Sequence, residues 1–203
     1  MKGPTLFILY INDIDEGIVS KIHQFADDCK LGKSMRSQEE VEVLRKDLRS
    51  RGEWAERWQM KFNTEKCSVL HIGRNNAEHK YELNHNLLKA NNAERDLGVM
   101  VDSKMKFAEH CNSVVHSANA TLGMIKRTIT SRNEDIMVRL YQALLRPKLE
   151  YCVQVRRPFL RVDSEKLESV QHRATKMISA CKNMSYSERL KFTGLTTLED
   201  RSV

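Results

Sequence analysis

The stretch His23-Gln24-Phe25-Ala26-Asp27-Asp28-Cys29-Lys30-Leu31 sets two adjacent aspartates inside an otherwise strand-like apolar run. Two full negative charges about 4 Å apart, at an effective dielectric of about 20, repel by roughly 4 kcal/mol. Such a pair wants something positive beside it. A divalent cation is one answer, because Mg²⁺ prefers hard carboxylate oxygens. A turn is the other, because Asp bonds its own backbone and tolerates unusual dihedrals. Taken alone, Asp27 and Asp28 leave both readings open.

Other candidate ligands are weaker. Cys67 with His71, and His110 with Cys111, hint at zinc, but no Cys-x-x-Cys pair occurs. A strand would also hold Cys67 and His71 about 13 Å apart. They read as buried thiols and ordinary histidines. The five cysteines, Cys29, Cys67, Cys111, Cys152 and Cys181, are widely spaced and odd in number. That usage suits an intracellular, reducing compartment.

The elements that must position the acidic pair follow from periodicity. Gly3–Ile14 reads as a short helix with Pro4 near its first position, where a missing N–H costs little. The segment from Ser20 to Ser34 is apolar on both sides of the aspartates and reads as two strands joined by a tight turn, with Asp27 and Asp28 at the tip. Ser37-Gln38-Glu39-Glu40 is a capping box, and Val41, Leu44, Leu48, Ala55 and Trp58 then recur at helical spacing. That stripe, with Trp54, Met60 and Phe62, is expected in the core, while Gly52 is expected to weaken or split the helix. Short strands are expected at Cys67–Ile72, Tyr81–Asn84 and Asp96–Val101.

Beyond Asp102 the pattern turns helical. Val114, Ala118, Leu122 and Ile125 mark one stripe, and a box at Ser131–Glu134 opens a second helix through Ile136, Leu140 and Leu144. Pro147 should end or kink that helix. Asp163 is expected to cap a helix carrying Leu167, Val170, Ala174, Met177 and Ile178, and Ser185–Glu188 to start a short last one.

Charge divides at the same place. Lys and Arg number 16 against 16 Asp and Glu over residues 1–100, but 18 against 11 over residues 101–203. The whole net charge of +7 belongs to the helical part, which would draw a phosphate-rich partner. Candidate contacts are Lys126 and Arg127 at one helix end, with Arg173 and Lys176 three apart on another. Solvated helix faces carry the same spacing. No apolar run approaches the ~20 residues of a membrane span. The start, MKGPTLFILYI, is followed at once by Asp13, Asp15 and Glu16 with no small-residue cleavage site, so secretion is not expected.

In order along the chain, GPTLFILYINDI, KIHQFADDCKL, WAERWQMKFNTEKCSVLHIG, ERDLGVMVD, LLRPKLEYCVQ, VQHRATKMI and YSERLKFTGLTTLEDR resemble the reverse transcriptase of a jockey-type (chicken-repeat clade) non-LTR retrotransposon. Each piece is weakly specific, but the ordered succession is strongly so. The resemblance implies an α+β fold: a partial polymerase palm of short antiparallel strands with packed helices over residues 1–102, then an all-helical thumb over residues 103–203. It implies that FADD is the catalytic hairpin, with Asp27 a metal ligand and Asp28 its acidic neighbour. Two Mg²⁺ about 3.5 to 4 Å apart would stabilise the attacking and leaving oxygens of nucleotidyl transfer, with Mn²⁺ as a substitute. The implied partners are an RNA template, a DNA primer and a dNTP. The implied location is the nucleus.

Family members carry a fingers region and an earlier palm strand with another essential aspartate upstream of the segment that starts here at Gly3. The segment alone is therefore expected to be inactive unless a fingers-bearing chain completes it. Two departures stand out: Asn84-His85 replaces the usual Asn-Gly turn, and Arg156 replaces an aromatic. The alternatives are a non-catalytic nucleic-acid-binding remnant using the basic helices, or a neutral transcribed relic.

Overall fold

A computed structural model describes residues 3–153 and 161–201, which leaves Arg156 outside the described residues. The chain divides into two compact units, Met1–Asn92 and Ala93–Val203. The change of composition near residue 102 lies one hairpin later than this division, because the strands of residues 93–102 belong to the helical unit.

The first unit contains α1 (Gly3–Tyr10), β1 (Lys21–Phe25), β2 (Asp28–Gly32), α2 (Gln38–Arg57), β3 (Ser68–Leu70), β4 (Glu82–Leu83), β5 (Asn86–Leu87) and β6 (Lys89–Asn91). Helix α1 stops at Tyr10, short of the expected Ile14. Helix α2 starts where the capping box predicts: Ser37 accepts from the Glu40 amide and Glu40 accepts from the Ser37 amide. It ends in a Schellman turn, with Met60 N–H bonded to Ala55 O at 2.8 Å and Gln59 in the left-handed region at φ 54°.

Gly52 does not split α2. Its bare Cα faces Asn84, and a Cβ there would fall 2.2 Å from Asn84 Oδ1, so the glycine provides clearance for the β4–β5 turn. Trp58 departs from the expected core stripe as well. It is 37% exposed and stacks edge-to-face with Tyr10 at 5.3 Å.

Two apolar clusters flank α2. Ile11, Ile14, Trp54 and Ala55 gather Phe7, Ile22, Met60 and Phe62; Val41, Leu44 and Tyr81 gather Leu31, Leu48 and Val69. The β1–β2 and β4–β5 ladders are antiparallel. The β3–β6 ladder is parallel, which corrects the expectation of antiparallel strands alone. The reason is connectivity: the β4–β5 hairpin is inserted between β3 and β6, so the chain has room to return in the same direction.

Asn84 and His85, which join β4 to β5, have φ of 49° and 61°. A two-residue turn with both φ positive is the type I′ geometry that favours glycine second. Replacing His85 with Gly should therefore raise stability by about 0.5–1 kcal/mol, relief of left-handed strain outweighing the added chain entropy. The urea midpoint would report it, and an unchanged or lower midpoint would count against the turn.

The second unit begins with β7 (Ala93–Asp96) and β8 (Val99–Asp102), an antiparallel hairpin. Leu97 and Gly98, both at positive φ, interrupt what the apolar run suggested was one strand over Asp96–Val101. Helices α3 (Ala108–Thr128), α4 (Glu134–Leu140), α5 (Arg146–Glu150), α6 (Arg161–Lys176) and α7 (Tyr186–Thr193) follow. Helix α4 is capped by Asn133, whose side chain accepts from the Asp135 amide, rather than by Ser131. Between α4 and α5 the backbone widens into a π-helical turn, Tyr141–Leu145, which admits Pro147 without ending the helical path.

The buried face lies one residue further along than expected. Met137, Tyr141 and Leu145 point into the core, whereas Ile136 and Leu144 are 43% and 38% exposed. Asp163 lies inside α6, already helical from Arg161, and pairs with Lys166 at 2.9 Å instead of capping. Helices α3 and α6 run side by side in the same direction. Lys166 Nζ bonds Asn112 Oδ1 near their starts, and Ser179 N–H bonds Arg132 O just past their ends. Leu122, Ile125, Leu149, Leu167, Val170, Ile178 and Leu190 fill the core between them. Among the described residues, no helix is long and apolar enough to cross a membrane.

Candidate catalytic hairpin and basic helix ends

Strands β1 and β2 pair Phe25 with Asp28, Gln24 with Cys29, His23 with Lys30, Ile22 with Leu31 and Lys21 with Gly32. Because side chains alternate across a strand, the Ile22–Leu31 pair faces the protein. Ile22 enters the Trp54 cluster and Leu31 the Val41 cluster, so α2 carries the hairpin from beneath. Lys21, His23, Phe25, Asp28 and Lys30 share the outer face.

Only Ala26 and Asp27 separate the strands. Ala26 sits at φ 52°, a conformation that favours glycine. Asp27 is the second turn residue and Asp28 opens β2; both are exposed. Among the described residues, neither carboxylate is engaged by an ion pair or a hydrogen bond. The two carboxylates stand side by side at a solvent-facing tip, and their hard oxygen donors suit a divalent cation. No group of three His, Cys, Asp or Glu converges among the described residues. Asp27 and Asp28 thus fit part of a metal site.

The neighbouring polar groups are structural. Asp13 accepts from Trp54 Nε1 at 3.0 Å. Burial raises the pKa of the Cys29 thiol, only partly opposed by the Arg51 charge, so Cys29 stays a neutral packing group at neutral pH. The Cys67 thiol is likewise raised by burial. His110 is 3% exposed and accepts the Met100 amide at Nδ1, 3.2 Å away.

Two inward-facing residues of α2 escaped the sequence reading. Asp47 is 2% exposed and accepts the Val19 amide at 3.3 Å and the Ser20 amide at 2.8 Å. Arg51 is 3% exposed, donates to Glu16 O at 3.2 Å and lies over the Trp54 ring. Their signal was available: both fall at helical spacing between Leu44, Leu48 and Ala55, on the apolar stripe where a charge is costly unless bonded.

Lys126 and Arg127 end α3, and Arg173 and Lys176 end α6; all four are exposed. Parallel helices bring the two pairs to the same end of the second unit. Arg173 also bonds Ser169 O at 3.2 Å. Cations in last turns already gain about 0.3–1 kcal/mol from the helix dipole, so these residues stabilise helix ends whatever else they do.

Residues 1–125 match the family described as "Reverse transcriptase (RNA-dependent DNA polymerase)". The chain belongs to the reverse transcriptase family. It is similar to the RNA-directed DNA polymerase from mobile element jockey of Drosophila melanogaster, 27% identical over 191 residues, covering 87% of this chain and 21% of that protein. The jockey polymerase of Drosophila funebris is 28% identical over 193 residues with the same coverage. The probable RNA-directed DNA polymerase from transposon X-element of Drosophila melanogaster is 22% identical over 189 residues, 88% of this chain and 21% of that one. This reverse transcriptase segment therefore spans about a fifth of the length of these curated relatives. No solved structure matches it significantly. The family match ends within α3, while the likeness to the mobile-element polymerases extends over 87–88% of the chain.

Proposed function

We propose that this segment supplies the catalytic hairpin of the palm and the thumb of a non-LTR retrotransposon reverse transcriptase. The carrying observation is the Asp27-Asp28 pair, exposed and unengaged at the tip of a two-residue turn in a chain of this family. In this reading residues 1–102 are palm and residues 103–203 thumb. Asp27 and Asp28 hold divalent cations, Mg²⁺ or Mn²⁺ in its place. The metal supplies stabilisation of the attacking and leaving oxygens when bound. The residues of the chain present those oxygens with two carboxylates on a support that α2 fixes from below. A complete two-metal site requires a further acidic ligand from elsewhere in the polymerase.

Support for the thumb lies in charge and placement. The excess of basic residues falls in the second unit, and Lys126, Arg127, Arg173 and Lys176 project from one end of two parallel helices. An RNA template paired to a DNA primer offers the matching row of phosphates. The 203-residue chain should bind such a duplex with an affinity that falls steeply with salt. Replacing any one of the four by Ala should lower the log–log salt slope by about 0.9 while weakening all sequences equally. Fluorescence anisotropy against a labelled RNA–DNA duplex checks this, and a flat salt response would reject the basic-end contact. Primer extension by a polymerase carrying the segment, with and without Asp27→Asn, tests the hairpin.

A further inference from the structure

A pair of antiparallel strands is marginally stable alone, and only the inner face of this hairpin is anchored by apolar contacts. Its approach is held differently. Gly17, at φ 73°, turns the chain toward β1, and the amides of Val19 and Ser20, the last two residues before the strand, need acceptors. Asp47 accepts both from a buried position on α2. One turn further along the helix, Arg51 donates to Glu16 O, so one helix face grips the connector at both ends.

We infer that Asp47 is a positioning residue for the acidic hairpin, its carboxylate fixing the angle at which β1 leaves α2. Leverage makes this consequential. From Ser20 to Phe25, the last strand residue before the turn, the chain advances about 17 Å at ~3.3 Å per residue. A tilt of about 3.5° at the anchor would move the tip by about 1 Å, enough to cost ~100-fold where reacting groups must align. A buried carboxylate is tolerated there because two backbone donors satisfy it. The inference rests on the reading of the hairpin as a metal-bearing tip, and its test separates the two.

Amide hydrogen exchange and Mn²⁺ line broadening, both read by NMR on the full chain, would compare wild type with Asp47→Ala and Asp47→Asn. In Asp47→Ala, the amides of Val19, Ser20 and the β1–β2 ladder should exchange roughly tenfold or more faster, and Mn²⁺ broadening of residues 26–29 should need several-fold more metal. Amides of β3–β6 and α3 should be unchanged. Asp47→Asn keeps one acceptor oxygen and should fall between; if Asp47→Ala does not fold, Asp47→Asn decides. Faster exchange confined to Val19 and Ser20, or spread evenly over residues 3–92, would overturn the positioning role. No Mn²⁺ effect at the wild-type tip would instead refute the metal reading and leave the exchange result standing.

Discussion

Asp27→Asn should lower primer extension on an RNA template by at least ~100-fold in a polymerase that carries this segment. The magnitude follows from comparison: changing groups that only hydrogen-bond a metal's ligands costs about 10–100-fold, and the proposed function makes Asp27 a ligand itself. Asn keeps the size and turn-forming ability of Asp, so the hairpin should persist and the loss should reflect charge alone. Asp28→Asn should also lower extension, because in the proposed site its carboxylate shares the cations with Asp27; its place in the β2 ladder opposite Phe25 engages only its backbone. Incorporation that survives Asp27→Asn would remove Asp27 from the mechanism.

The second large effect concerns stability. Gln171, 1% exposed, accepts from the Tyr141 hydroxyl, and its Nε2 lies 2.9 Å from both Tyr186 Oη and Thr196 O. Tyr186 in turn donates to Glu168, whose other oxygen accepts the Leu198 amide at 2.9 Å. Burial, then Glu150 and Glu168, raises the pKa of the Tyr141 hydroxyl; burial and the Glu168 bond do so for Tyr186. Both phenols stay protonated donors well into alkaline pH.

Gln171→Leu fits the volume but strands the Tyr141 hydroxyl in the core, at about 1–3 kcal/mol, and removes the bonds from Nε2 to Tyr186 Oη and to the carbonyl of exposed Thr196, which water can partly replace. The helical unit should lose about 2–4 kcal/mol, read from urea unfolding by far-UV circular dichroism. Tyr141→Phe alone should cost about 1 kcal/mol, and the double variant less than the sum, since removing both partners leaves fewer orphans. A loss below about 1 kcal/mol for Gln171→Leu would show the network to be solvated.

What sequence made legible was local. The Ser37 and Ser185 boxes and the α3 stripe rest on residues three or four apart, the hairpin around Asp27 and Asp28 on alternation either side of a turn, and each formed where the spacing placed it. The Ser131 box failed because Asn133 offers the Asp135 amide an acceptor nearer in the chain. The Ile136–Leu144 stripe failed because the neighbouring row, Met137, Tyr141, Leu145 and Leu149, also four apart, is the one that packs into the core, with the Tyr141 hydroxyl bonded to buried Gln171.

Nonlocal choices were hidden for a different reason. Parallel pairing of β3 with β6 depends on a hairpin inserted between them, and Gly52 reads as a breaker until Asn84 is seen against it. Of the site, the twin acids were visible. The buried Asp47–Arg51 grip was masked because a charged residue on an apolar stripe looks like noise until its backbone partners are known.

In the proposed function, a turn apex whose two carboxylates have no ion-pair or hydrogen-bond partner among the described residues gathers a divalent ion. A Mn²⁺ titration of the 203-residue chain, followed by paramagnetic broadening of backbone amides, tests this. The amides of Ala26, Asp27, Asp28 and Cys29 should broaden first, and Asp27→Asn should abolish this. Broadening that begins elsewhere, or that persists unchanged in Asp27→Asn, would contradict it.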